Sequence, residues 1–275
     1  MMARPERVPA EEVRKRMLDA GRELAIEAGA ALTIEHLRLE EVIQRARVPR
    51  SSVYRLWSYR DEYIDDLLCY LAGAGSLFGN RPVFDPETFS IASKVLADNR
   101  HLLASGDGRR ALMREVVRLT TTRNYQALSG SAPWRLHIAL IATLGSTRSG
   151  EARQQIAAAL EEAQLQSRQS MVALFDYLMA EIGLRLRDPE VWSTEHLQLA
   201  GGLLMQSLAL RNLQVRAADG ASEAAAVDAL LNAPLPGPGL NGEAAEWTLV
   251  SHAYLGLVDA FVELDPDFTP PPLVG

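Results

Sequence analysis

From position 50 to 57 the chain reads Arg-Ser-Ser-Val-Tyr-Arg-Leu-Trp. Wound as a helix at about 100° per residue, this run parts into two faces. Arg50, Ser51, Tyr54 and Arg55 fall within one arc of about 140°, and Val53, Leu56 and Trp57 within another of about 100°. Arginine, serine and tyrosine donate hydrogen bonds to phosphates and base edges, and a short helix carrying them on one side fits the major groove of a duplex. Taken alone, an eight-residue stretch of this kind is equally compatible with an ordinary solvated helix face. Other chemistries find less support. There is no Gly-x-Ser-x-Gly, no phosphate-cradling glycine loop and no His-Glu-x-x-His, and none of the five histidines has metal-ligand spacing with a second ligand. Cys69 is the only cysteine, so no intrachain disulfide forms and a packed thiol is expected. Neither an enzyme, a metal site nor a cofactor is expected.

Net charge argues against nucleic acid until its distribution is read. The whole chain stands at −7, but residues 1 to 60 hold 12 Arg plus Lys against 9 Asp plus Glu, and the remainder holds 16 against 26. Binding to phosphate needs a local patch, and an acidic body helps to turn the basic end toward the duplex. With 275 residues, the chain has room for two units. Alanine, leucine, glutamate and arginine dominate, all strong helix formers, so the expected class is all-α. Met1 to Pro9 has no apolar leader core, and no segment approaches the ~18 uninterrupted apolar residues of a membrane span. A cytoplasmic protein that does not engage membranes is expected.

The elements that must position the arginines follow from periodicity. Val13, Met17, Leu18, Leu24, Ala25 and Ala28 predict a supporting helix over Glu11 to Ala28, closed by Gly29. A second apolar cluster, Leu37, Leu39, Val42 and Ile43, leads to Arg47-Val48-Pro49. Proline suits a first helical turn, so one helix ends here and a short one runs from Pro49 to Trp57. Another begins near Arg60.

The run from Leu39 to Glu62 resembles the helix-turn-helix and exit of the TetR family. Val48, Arg50, Val53, Tyr54, Trp57 and Arg60 match that family's frame, and the resemblance covers residues 11 to 70. It implies a three-helix DNA-binding domain at residues 10–60, followed at 61–275 by a larger helical domain for effector binding and dimerisation. It further implies phosphate contacts from Tyr54 and Arg60, and groove-facing roles for Arg50, Ser51, Ser52 and Arg55. Arg38, at the start of the second helix, is another phosphate candidate; Trp57 and Val53 belong to the core. Arg4 and Arg7 form either an arm that reaches the DNA backbone or a solvated tail. The chain departs from the family at three places. Arg47 replaces the turn glycine, so the turn either avoids a left-handed backbone or accepts strain, and a further phosphate contact becomes possible there. Pro49 replaces the capping serine. The spacer from Gly29 is about four residues longer than usual, and Ile43 stands where a small alanine is common.

Beyond residue 60, breaks at Gly, Pro, Ser and Asn predict helices over Arg60–Gly73, Pro86–Ala104, Gly108–Leu128, Pro133–Thr147, Glu151–Gly183, Pro189–Ala217 and Glu243–Leu264. A long loop is expected from Ala218 to Gly242, with one short helix at Ser222–Asn232. The helices near 189–217 and 243–264 are apolar on nearly every side, so each must bury two faces. A homodimer contact through them is expected, the alternative being burial at the centre of a monomer. Trp134, His137, Met171, Phe175 and Met179, with Thr143, mix bulky apolar and polar groups as a small-molecule effector site would.

These features give two functional readings. One is a sequence-specific, homodimeric repressor on a partly palindromic double-stranded DNA site, released by a small-molecule effector. The other is a helical interaction protein whose helix-turn-helix no longer binds DNA.

Overall fold

A computed structural model of the protein describes residues 9–27, 37–73, 86–144, 150–217 and 222–271. Arg4, Arg7 and the spacer that starts at Gly29 lie outside these described residues. The chain is mostly helical. Its elements run α1 (Ala10–Glu27), α2 (Leu39–Ala46), α3 (Arg50–Leu56), α4 (Arg60–Ala72), α5 (Pro86–Asp98), a 3-10 turn (Arg100–Ala104), α6 (Gly106–Gly130), α7 (Ala132–Thr143) and α8 (Gly150–Ile182). There follow β1 (Leu184–Leu186), α9 (Thr194–Ala217), α10 (Ser222–Asn232), β2 (Leu235–Pro238), β3 (Ala244–Trp247), α11 (Leu249–Phe261) and β4 (Val262–Leu264). No helix among the described residues is long and apolar enough to cross a membrane.

Contacts divide the chain into two compact units, residues 1–81 with 131–165, and residues 82–130 with 166–275. The first unit takes in more than residues 10–60, because α4, α7 and the first half of α8 share one apolar core with α1, α2 and α3. Val13, Met17 and Leu18 of α1 meet Val42 of α2, Val53 of α3, Leu67 and Leu71 of α4, Leu140 of α7 and Ile156 of α8 in that core. The spacing of three and four residues that marked α1 in the sequence is thus its buried stripe.

A glycine inside α1 explains how closely α4 approaches. Glycine in a helix interior costs about 1 kcal/mol relative to alanine. At Gly21, however, a β-carbon would stand 2.3 Å from the Tyr63 hydroxyl, which donates to the Met17 carbonyl at 3.0 Å. Gly21→Ala is therefore expected to destabilise the first unit by about 1 to 3 kcal/mol despite the better helix propensity, through displacement of Tyr63. Chemical denaturation measures this, and an unchanged or raised midpoint contradicts the packing argument.

In the second unit the short strands depart from the helices expected over Pro189–Ala217 and Glu243–Leu264. Asp188 closes a turn by accepting from the backbone of Val191 and Trp192, and α9 then starts only at Thr194. His196 reaches back to cap it, its Nδ1 accepting from the Ser193 amide at 3.1 Å. Ala244–Trp247 pairs antiparallel with Leu235–Pro238, so this part of the expected loop and helix is a hairpin. Thr248 and Ser251 then form a capping box at the start of α11. Past Phe261, Val262–Leu264 pairs with Leu184–Leu186. A short apolar run carries no mark of which period it will adopt, and strand pairing here depends on a partner some 80 residues away.

Candidate nucleic-acid interface and apolar cavity

The α2–turn–α3 segment sets its polar residues on a fixed base. Helix α2 ends at Arg47, whose φ of 53° and ψ of 46° place it in the left-handed region. Its amide donates to the Gln44 carbonyl at 3.3 Å. Arginine thus occupies a left-handed backbone position, at a cost of about 1 to 2 kcal/mol. Pro49 stands just before α3 and not within it: it is extended, and its carbonyl accepts from Ser52 and Val53. No side chain caps α3. Val53 is completely buried and Trp57 nearly so, whereas Arg50, Ser51, Tyr54 and Arg55 are exposed and Ser52 is half-buried. Val53 lies on the buried face of α3 and Leu56 is half-buried, but Trp57, read as the last helical residue, lies just past the helix in an extended conformation (φ −128°, ψ 106°) and is buried there.

Side-chain bonds hold this helix to its supports. Trp57 donates from Nε1 to Asp66 of α4 at 3.1 Å and packs edge-on against Tyr63 with ring centroids 5.2 Å apart. Asp66 also accepts from Arg14 of α1, at 2.9 Å from Nε. Tyr70 donates to Asp19 at 2.6 Å, a second tie between α4 and α1. Arg45 grips Glu27 through two bonds of 2.8 Å and holds that carboxyl below the ordinary carboxylate range. Cys69 is half-buried beside Gln155, and burial, aided by the Asp66 and Asp65 charges, raises its thiol pKa and keeps it protonated.

The basic residues of this region separate by what they hold. Arg50 pairs with Glu40 at 3.2 Å, and Arg60 donates to the Leu37 carbonyl at 3.1 Å from Nη2, bracing the entry to α2. Arg38, Arg47 and Arg55 are exposed and make no ion pair or hydrogen bond through their guanidinium groups among the described residues. Tyr59, just before α4, is 72 % exposed. Its position in a linker gave it no helical periodicity by which to be noticed.

A separate feature lies within the second unit. Residues of α5, α6, α8, β1, α9, α11 and β4 line a cavity that opens to solvent. Met113, Val117, Met171, Leu174, Phe175 and Met179 make it apolar, and among the described residues no carboxylate, ammonium or guanidinium lines it. Its polar members are few. The Thr120 and Thr121 hydroxyls donate to carbonyls of their own helix at 2.6 Å. Asn124 and Tyr254 also line it, and neither the carboxamide nor the phenol hydroxyl has a hydrogen-bond partner among the described residues. Burial raises the Tyr254 pKa far above neutrality, so the phenol stays neutral. Gly201 of α9 admits its ring, since a β-carbon there would lie 2.3 Å from the hydroxyl.

No protein-family model matches the chain, and no curated protein matches it. The site must be read from its own geometry. That geometry places Ser51, Ser52, Tyr54, Arg55 and the pair of Arg50 with Glu40 on α2 and α3 and Arg38 just before α2, while Arg60 is occupied with a backbone carbonyl. Of the residues expected at an effector site, Met171, Phe175 and Met179 line the cavity. Trp134 and His137 do not. They sit buried on α7 in the first unit, where burial pushes the His137 imidazole below its ordinary pKa of 6.5. The Thr143 side chain lies outside the described residues. The cavity residues missed in the sequence, Val116, Asn124, Met205 and Tyr254 among them, come from helices far apart in the chain. No local pattern joins them. Among the described residues no cluster of His, Cys, Asp and Glu could hold a metal ion.

Proposed function

We propose that the protein is a sequence-specific, DNA-binding transcription regulator of the TetR type, working as a homodimer and released from DNA by a small-molecule effector. The observation that carries the reading is α3: a short helix locked by Val53 and Trp57 on one side and offering Ser51, Tyr54 and Arg55 to solvent on the other. The resemblance of residues 39–62 to that family's helix-turn-helix supports it. Here Tyr54 and Arg38 bind phosphate, Arg55 and Ser51 read base edges, and Arg50 reaches the groove after leaving Glu40. Arg60 acts as a positioning residue through Leu37.

Support for a second copy of the chain comes from α9. Leu199, Leu203 and Leu210 form a stripe along it and are 52, 57 and 37 % exposed. A dimer with two-fold symmetry buries such a stripe against its own copy and sets two recognition helices about 34 to 36 Å apart, so the operator is a partial palindrome. The effector is assigned to the cavity of the second unit. Helix α8 contributes to both units, so an effector that alters its second half acts on an element the first unit shares.

The test is fluorescence anisotropy with random duplex at low salt, followed by selection of bound sequences from a random pool. Random duplex is expected to bind with a steep salt dependence, and Arg55→Ala is expected to weaken a selected site by about 1 to 3 kcal/mol while altering base preference. Absence of duplex binding at low salt favours the alternative, a helical interaction protein, for which the Arg50–Glu40 pair and the acidic remainder of the chain are the supporting features.

A further inference from the structure

We propose that Arg47 is a phosphate anchor of the nucleic-acid interface, a cation kept at a backbone position that glycine would fill with less strain. This rests on the DNA-binding reading above and adds to it a contact from the turn itself, outside the recognition helix.

Conformation is the first observation. Among the described residues Arg47 is the one non-glycine residue with positive φ. In that conformation the β-carbon crowds the following carbonyl, which glycine avoids altogether and asparagine offsets by local hydrogen bonding. Among the described residues no group engages the Arg47 side chain, and the turn is closed by the backbone bond from the Arg47 amide to the Gln44 carbonyl. A solvated arginine retained for solubility accounts for the charge but not for its position on a strained backbone. Residues held in this way concentrate at binding sites, where the surrounding structure compensates the strain.

The second observation is what neighbouring arginines do. Arg14, Arg16, Arg45 and Arg50 each hold a carboxylate, whereas Arg38 and Arg55, both assigned to the interface above, hold none among the described residues. Arg45, only two residues earlier, shows how a basic residue in this segment stabilises the fold, by gripping Glu27 and Glu23 of α1. Arg47 grips nothing among the described residues, and its guanidinium is exposed. Position is the third. Arg47 lies between α2 and α3, three residues before the first residue of α3. A flexible cation in a turn beside the recognition helix, and not on it, meets the sugar–phosphate backbone and not base edges. It therefore contributes affinity without sequence preference.

The full-length protein with Arg47→Gly, Arg47→Asn and Arg47→Lys tests this by thermal melting and by anisotropy titrations of random duplex at several salt concentrations. Arg47→Gly is expected to raise the melting temperature by roughly 2 to 4 °C. It should also weaken every duplex by about tenfold per bound subunit near ~0.1 M salt, with a salt slope shallower by about 1 per subunit. Arg47→Asn should match the glycine variant in binding, and Arg47→Lys should keep the wild-type slope. Wild-type affinity and slope in Arg47→Gly, with the wild type binding random duplex in a salt-dependent way, overturn the anchor and leave the DNA-binding reading standing. A glycine variant that melts below wild type overturns the strain argument. No duplex binding by wild type at low salt removes both.

Discussion

Leu203→Asp is expected to turn a dimeric protein into a monomer at micromolar concentration and to abolish binding to a palindromic operator. Leu203 is 57 % exposed on α9, so a carboxylate there is harmless in a free subunit. Buried against a second copy and unpaired, it is costly. A central apolar anchor lost from an interface commonly costs 2 kcal/mol or more, and two-fold symmetry doubles it, so self-association should weaken by about a thousandfold. Helix α11 gives no equivalent site at Val258, which is buried and lines the cavity; an acidic residue there damages the second unit itself. Sedimentation velocity of wild type and Leu203→Asp, with melting curves to confirm intact folding, decides the matter. A monomeric wild type, or a variant that dimerises as well as wild type, rejects α9 as the contact.

The cavity should bind neutral apolar molecules and refuse charged ones of the same shape. Desolvating an isolated carboxylate or ammonium where no counter-charge lines the wall costs several kcal/mol, whereas a hydroxyl finds the Asn124 carboxamide or the Tyr254 phenol. Decanol, decanoate and decylamine form a matched set of probes. At about 100 times its dissociation constant a ligand stabilises by about 2.7 kcal/mol, so decanol should raise the melting temperature by several degrees and the ionised analogues should not. Thr120→Trp, which fills the space with an indole, should remove the shift. Equal shifts from all three probes, or an undiminished shift in Thr120→Trp, reject the cavity as the site. If decanol is also an effector, operator binding and decanol binding must weaken each other by the same factor.

Much of the candidate interface could be read in the sequence because it is local. Val53, Tyr54 and Arg55 are consecutive on a helix, so their division into faces follows from helical geometry, and Trp57, just past its end, is buried for its apolar character. The ion pair of Arg50 with Glu40, the bond from Arg60 to Leu37 and the left-handed backbone at Arg47 were not legible, since each depends on where another segment comes to rest. The residues expected at an effector site show the same division. Met171, Phe175 and Met179 share one face of one helix and line the cavity, but Trp134 and His137 carry the same mixture of apolar and polar character and are core of the other unit.

The sequence by itself determined the mostly helical class, the stripes that α1 and α3 bury, and the surplus of basic residues before position 60, because side-chain type and a period of 3.6 residues suffice for each. Tertiary structure alone decided three things. It gave α4, α7 and half of α8 to the first unit, it ended the last helix in strands, and it assembled an uncharged cavity from seven separate elements. Apart from the β2–β3 hairpin, these outcomes rest on contacts between residues tens to more than a hundred positions apart. The free energy of such contacts comes from surfaces that exist only once the chain has folded.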